Sequence, residues 1–117
     1  MISMPDTSHD NQLVICMTTT SSLADAQSIA KTLLDLSLAA CIQIDGPIQS
    51  HYRWDGATHC DDEYRLMIKT VAVSWLRLKE CIQKIYPYEE PEIILVPVRD
   101  STSGYRDWVI SQTNDGT

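Results

Sequence analysis

Hydrophobic and polar positions divide the chain into segments of two different periods. Leu13 to Thr19 is a short apolar run rich in strand formers and reads as a buried strand. The period then lengthens: Leu23, Ala26, Ala30, Leu33 and Leu34 share one helical stripe, and Ser22 with Asp25 resembles a capping box in which Asp replaces the usual Glu. A helix is predicted from about Leu23 to Ser37. Ala39 to Asp45 returns to strand character, and Gly46-Pro47 interrupts it as a bulge or kink would, pairing a flexible backbone with a missing donor. Extended structure resumes from Ser50 to Trp54, and Asp55-Gly56 supplies residues that tolerate positive φ, so the chain reverses there. On the predicted return strand, Glu63 to Thr70, the apolar Tyr64, Leu66 and Ile68 alternate with Glu63, Arg65, Met67 and Lys69.

A second helical stripe, Trp75, Leu78, Ile82 and Ile85, begins after Ser74, a competent N-cap, and must stop before Pro87. Pro87 and Pro91 bracket a stiff loop. Ile93 to Val98 reads as the last buried strand, and Tyr105, Trp108 and Val109 mark a short terminal helix. The order is that of the split βαβ, or ferredoxin-like, α+β arrangement, β-α-β-β-α-β, an antiparallel sheet with two helices on one face and here an added terminal helix. Such a sheet keeps two edges and an uncovered face, so self-association is expected. The expected organisation is a disordered tail over residues 1–12, one domain over 13–112 and a frayed tail over 113–117.

The 117 residues, 44% of them hydrophobic, suit one core that buries roughly two-thirds of the unfolded surface, with no room for a second. Sixteen acidic against nine basic side chains give a formal charge of −7, which removes the field that a nucleic-acid backbone needs and could attract cations, or simply keep the surface soluble. Cys16, Cys41, Cys60 and Cys81 form no C-x-x-C pair, so free thiols are expected; only Cys60 has polar neighbours. The polar N-terminus lacks the pattern of a signal peptide, and no apolar run approaches membrane-spanning length, so the expected location is cytoplasmic, away from any membrane. P-loop, G-x-S-x-G and H-E-x-x-H signatures are missing, and the Arg with Asn that acylphosphatases use has no counterpart, since Asn11 and Asn114 lie in the tails. The chain is not expected to be an enzyme.

Five motifs in order resemble the CutA family across Val14 to Trp108: Leu38-Ala39-Ala40-Cys41, Ser50-x-Tyr52-x-Trp54-x-Gly56, Glu63-x-x-Leu66-x-Ile68-Lys69-Thr70, Tyr86-Pro87-Tyr88-Glu89-x-Pro91-Glu92-Ile93 and Tyr105-x-x-Trp108. The resemblance implies an interlocked homotrimer with a core similar to PII signalling proteins, linked to tolerance of copper or other divalent cations. Copper binding is proposed for bacterial members, which often carry His before the Pro-Tyr step and Cys at the end of the first strand. This chain has Ile85 and Tyr86 before Pro87, and Thr18 in place of that Cys, so those ligands do not transfer.

The remaining metal candidates are His51, His59 and Cys60, with Asp61, Asp62 and Glu63 nearby, although adjacent strand residues point to opposite faces and the bland reading is a solvated hairpin tip. His9 lies in the tail. No cofactor is required; Cu²⁺ or another divalent cation is the candidate ion. Trp54, Glu63, Lys69, Tyr88 and Glu89 are candidates for an intersubunit cleft, or else interface packing residues; six positions separate Glu63 from Lys69 by about 20 Å on one strand, so they can meet only through another strand or subunit. The acidic loop Tyr86 to Glu92 could hold a hard cation through oxygen, or serve as a rigid corner. A PII-like sensor of an anionic or aromatic ligand near Lys69 and Tyr88, or a protein-anchoring scaffold, is the alternative to metal tolerance.

Overall fold

A computed structural model describes residues 11–86 and 90–113. Its elements are β1 (Leu13–Thr20), α1 (Leu23–Asp35), β2 (Cys41–Trp54), β3 (Ala57–Val71), α2 (Trp75–Ile85), β4 (Ile93–Pro97) and α3 (Ser103–Thr113), with a 3-10 turn, Ala72–Ser74, leading into α2. The four strands form one antiparallel sheet in the order β2-β3-β1-β4. The chain is thus α+β, with the predicted succession of elements and three helices.

Alternation along β1 and β3 sends Cys16, Leu66 and Ile68 into the core, where they meet Ala26, Ile29 and Leu33 of α1 and Leu78 and Ile82 of α2. Each of the fully buried Leu and Ile side chains contributes about 1.5–3 kcal/mol. The buried line of α1 is Ala26–Ile29–Leu33, which keeps Ala26 and Leu33 of the predicted stripe and adds Ile29. Leu23 and Leu34 are 43% and 45% exposed, because they lie roughly 60–80° round the helix from Ala26. The Ser22 hydroxyl accepts the Asp25 N–H at 3.1 Å, as the capping pattern predicts.

At its other end α1 stops two residues before the predicted Ser37. Ser37 adopts φ +56°, its N–H bonds to the Leu34 carbonyl and the Leu38 N–H to the Leu33 carbonyl, the double closure of a Schellman turn with Ser in the usual Gly place. Ser74 does not cap α2. It is buried as the last residue of the 3-10 turn, whose Ala72 carbonyl accepts the Trp75 N–H, and its dihedrals are helical instead of the extended ones of a cap; its side chain makes no cap bond.

β2 does not break at Gly46-Pro47 but runs through it, with a cis Gly46-Pro47 peptide and a register shift between Asp45 and Ile48, the irregularity the dipeptide predicts. β3 begins at Ala57, six residues before the predicted Glu63. Its first half has no apolar period to reveal it; backbone pairing to β2 alone makes it a strand. Asp55 and Gly56 have φ of +53° and +80°, both positive, as a two-residue type I′ turn requires. β1 pairs with β3 only from Tyr64 onward, so Ile48–Trp54 with Ala57–Glu63 forms a two-stranded ribbon projecting beyond the sheet. On the sheet face away from α1 and α2, Val109 of α3 packs on Leu13 and Val71 at one end, while Ile94 and Val96 stay exposed. No described helix is long and apolar enough to cross a membrane.

Candidate functional site

The ribbon holds most of the chemistry-bearing residues that the sequence singles out. The two-residue turn sets Trp54 opposite Ala57, which places Tyr52 opposite His59 and His51 opposite Cys60. Because side chains alternate, these two pairs emerge on opposite faces. On one, the Tyr52 and His59 rings stack with centroids 5.3 Å apart, and the Tyr52 hydroxyl donates to the Asp61 carboxylate, which holds the phenol above its ordinary pKa. On the other, the Cys60 Sγ lies 3.6 Å from the His51 Nε2.

His59 and Cys60 therefore do not cooperate. The segment His59–Asp62 is also not a hairpin tip: it is exposed, but it lies within the paired length of β3, and the tip is Asp55-Gly56. Among the described residues no three His, Cys, Asp or Glu side chains converge as a metal cluster.

A groove of about 540 Å³ opens between the ribbon and the segment before β4; Thr19, His51, Tyr52, Trp54 and Glu63 line it from the sheet, and Glu90 and Glu92 from that segment. The Thr19 hydroxyl donates to Glu63 at 3.1 Å, anchoring one carboxylate to β1. Trp54 and Glu63 thus share one groove. Lys69 stands apart, near the far end of β3, where its ammonium donates to the Gln43 side chain. Within one chain it is no partner for Glu63. Tyr88 and Glu89 lie outside the described residues, as does Pro87.

The other thiols differ in kind from Cys60, which is exposed. Cys16 is in the core, and burial pushes its thiol up to about 12. Burial also raises Cys81, and Tyr105 of α3, which sits beside Cys41, is raised by burial and then by that neighbour. Sequence reading named His51 and Cys60 without pairing them, yet the two-residue turn carries the signal: once Trp54 faces Ala57, counting outward brings 51 to 60. It missed Thr19 and Tyr52 as groove residues, since only the β1–β3 register and the return of the chain before β4 bring them together.

Comparison with known proteins places this architecture. The family model described as CutA1 divalent ion tolerance protein matches residues 14–112. The divalent-cation tolerance protein CutA of Thermus thermophilus is 38% identical over 88 residues, 75% of this chain and 85% of that protein. A CutA homolog of Xenopus laevis is 37% identical over 84 residues, and the chain spans only 56% of that longer protein. The crystal structure of CutA from Xylella fastidiosa superposes with a TM-score of 0.85 at 29% identity, covering 88% of this chain and 99% of that one. With the family model matched over most of its length, the chain belongs to the CutA1 family of divalent ion tolerance proteins.

Proposed function

We propose that this protein acts as a ferredoxin-like, PII-like homotrimer in tolerance of divalent cations, copper among them, by holding metal ions rather than by catalysing a reaction. The observation that carries the assembly is the β2–β3 ribbon. A two-stranded ribbon is marginal in water by itself, and this one exposes Tyr52 and Trp54 while the sheet leaves Ile94 and Val96 uncovered. Pairing across subunits would cover both surfaces, and three copies is the number that the CutA resemblance implies. Solved relatives are described as divalent cation tolerance proteins, as in Thermus thermophilus. Sedimentation velocity at micromolar concentration tests the assembly: a trimer is expected, and a monomer overturns it. Loss of growth in Cu²⁺ or Zn²⁺ on deletion, restored by the intact gene, tests the tolerance role, and unchanged growth overturns it.

The working location is the cytoplasm, supported by four free cysteines, which suit a reducing compartment. One relative, from Archaeoglobus fulgidus, is described as periplasmic, so cell fractionation decides between the two. The groove supports a second reading, a small-ligand sensor. Its aromatic wall and its carboxylates suit a cationic ligand, not the anionic one that a site built around Lys69 would take. A rise in melting temperature with polyamines and none with nucleotides would support it.

A further inference from the structure

From the cross-strand contact of His51 with Cys60 we infer a half-site for a borderline-soft divalent cation of the Zn²⁺ class, made by the Cys60 thiolate and the His51 imidazole. It deepens the metal-holding reading above and takes its physiological meaning from it, but its geometry stands by itself. A tetrahedral Zn²⁺ binds thiolate sulfur at about 2.3 Å and imidazole nitrogen at about 2.0–2.1 Å, so two such donors on one ion stand about 3.5–3.6 Å apart. The Sγ–Nε2 separation is 3.6 Å. The pair is thus set at the bite of the ion, on two strands whose register is locked by the turn four residues away.

Three further observations select this pair. Cys60 is the exposed thiol, whereas Cys16 is closed off in the core and Cys41 and Cys81 are half-buried. The two donors project from paired strands, so binding freezes two side chains without reordering backbone. His59, the neighbour in sequence, is turned to the opposite face and occupied by its stack on Tyr52. In the metal-free protein the same contact is a weak hydrogen bond; the cation takes the place of the thiol proton, which leaves to solvent.

Among the described residues no third protein donor joins the pair, so water completes the coordination and affinity is lower than in four-donor structural sites. Soft thiolate and imidazole select Zn²⁺, and its probe Co²⁺, over Mg²⁺ and Ca²⁺.

The test is titration of the full-length, reduced, metal-free protein with Co²⁺, read by near-ultraviolet thiolate-to-cobalt charge-transfer absorption. One band saturating at a single Co²⁺ per chain is expected, displaced by Zn²⁺ and untouched by Mg²⁺. Cys60→Ser should abolish the band, His51→Ala should weaken binding at least about tenfold, and His59→Ala should leave it within about twofold. No band in the parent protein, a band that survives Cys60→Ser, or equal loss on His59→Ala would overturn the site. Sedimentation of the same variants keeps a folding defect apart from a lost donor. Growth in Zn²⁺ separates the two readings: a strain carrying Cys60→Ser that keeps tolerance without the band removes the site's physiological role, whereas a null strain with full tolerance removes the tolerance reading and leaves the site intact.

Discussion

Gly46→Ala probes how the ribbon is joined to the sheet. Gly46 has φ +147°, a region that side-chain-bearing residues rarely enter, and a Cβ placed there would stand 2.8 Å from Tyr64 Cδ2, 2.9 Å from the Glu63 carbonyl oxygen and 3.1 Å from Tyr64 Cα. Two of these three atoms are backbone and cannot swing aside, so β3 itself must shift. Backbone strain of this kind costs on the order of 1–3 kcal/mol, and forced overpacking adds a similar amount. We expect a total of about 3 kcal/mol, which at this chain length lowers the melting temperature by about 10 °C. Gly56→Ala supplies the control, because Gly56 also has positive φ, +80°, but no atom within 4 Å of the position its Cβ would take. It should cost only about 1 kcal/mol, the strain without the clash. Urea denaturation at equal subunit concentration measures both, the concentration being held because assembly would link it to stability. A Gly46→Ala cost equal to or below that of Gly56→Ala would refute the reasoning, since the close approach to β3 would then carry no energy.

Thr70 is fully buried, and its hydroxyl donates to the Leu38 carbonyl at 2.7 Å, so Thr70→Val strands that acceptor and should cost about 1–3 kcal/mol in the same denaturation assay. The Arg65 guanidinium grips Asp45 with two bonds of 2.8 and 3.2 Å, but the side chains are 39% and 53% exposed. Arg65→Ala should therefore cost less than about 1 kcal/mol, an effect that shrinks further in 1 M salt. Burial raises the Cys16 thiol from 9.0 to about 12, so the folded state holds a proton that the unfolded state gives up above pH 9. The contribution of this group to stability is full below pH 9 and is lost from there towards pH 12, at a slope of up to about 1.4 kcal/mol per pH unit. The difference between the parent protein and Cys16→Ala, followed by denaturation from pH 8 to 11, should show that slope; parallel curves would contradict it.

The parts of the fold that were legible in the sequence are those that bury their own side chains. β1, the second half of β3, β4 and both core helices each carry an apolar period matched to the element, and each is found within a few residues of its predicted place. The misses share one physical origin. The end of α1 depends on Ser37 entering the left-handed region, a place where Gly would have announced the stop and Ser does not. Ser74 is a good cap by type, but as the last residue of the 3-10 turn it has helical dihedrals instead of the extended ones of a cap, and it makes no side-chain cap bond. The first half of β3 reads Ala-Thr-His-Cys-Asp-Asp, without a buried face, so nothing in its composition marks it as a strand. Of the candidate site, Trp54 and Glu63 both line one groove, while Lys69 is held on Gln43 away from it.

That same first half of β3 separates folding from function along the chain. Where β3 faces α1 and α2, each inward residue is chosen by packing, as Leu66, Ile68 and Thr70 are. In the ribbon no residue from Ser50 to Asp62 belongs to either hydrophobic core, so the core does not dictate whether His, Cys, Tyr or Asp occupies a given position. The backbone ladder needs none of those side chains in particular, yet the ribbon carries both described histidines, the exposed thiol and two exposed aromatics, sorted by strand alternation into a thiol–imidazole face and an aromatic–carboxylate face. Side chains that folding leaves free are the ones available to partners and ligands. A substitution on the ribbon such as Cys60→Ser should accordingly leave the denaturation midpoint nearly unchanged while altering metal binding, whereas Leu66→Ala, at the buried end of the same strand, should cost about 2–5 kcal/mol whatever the ligand.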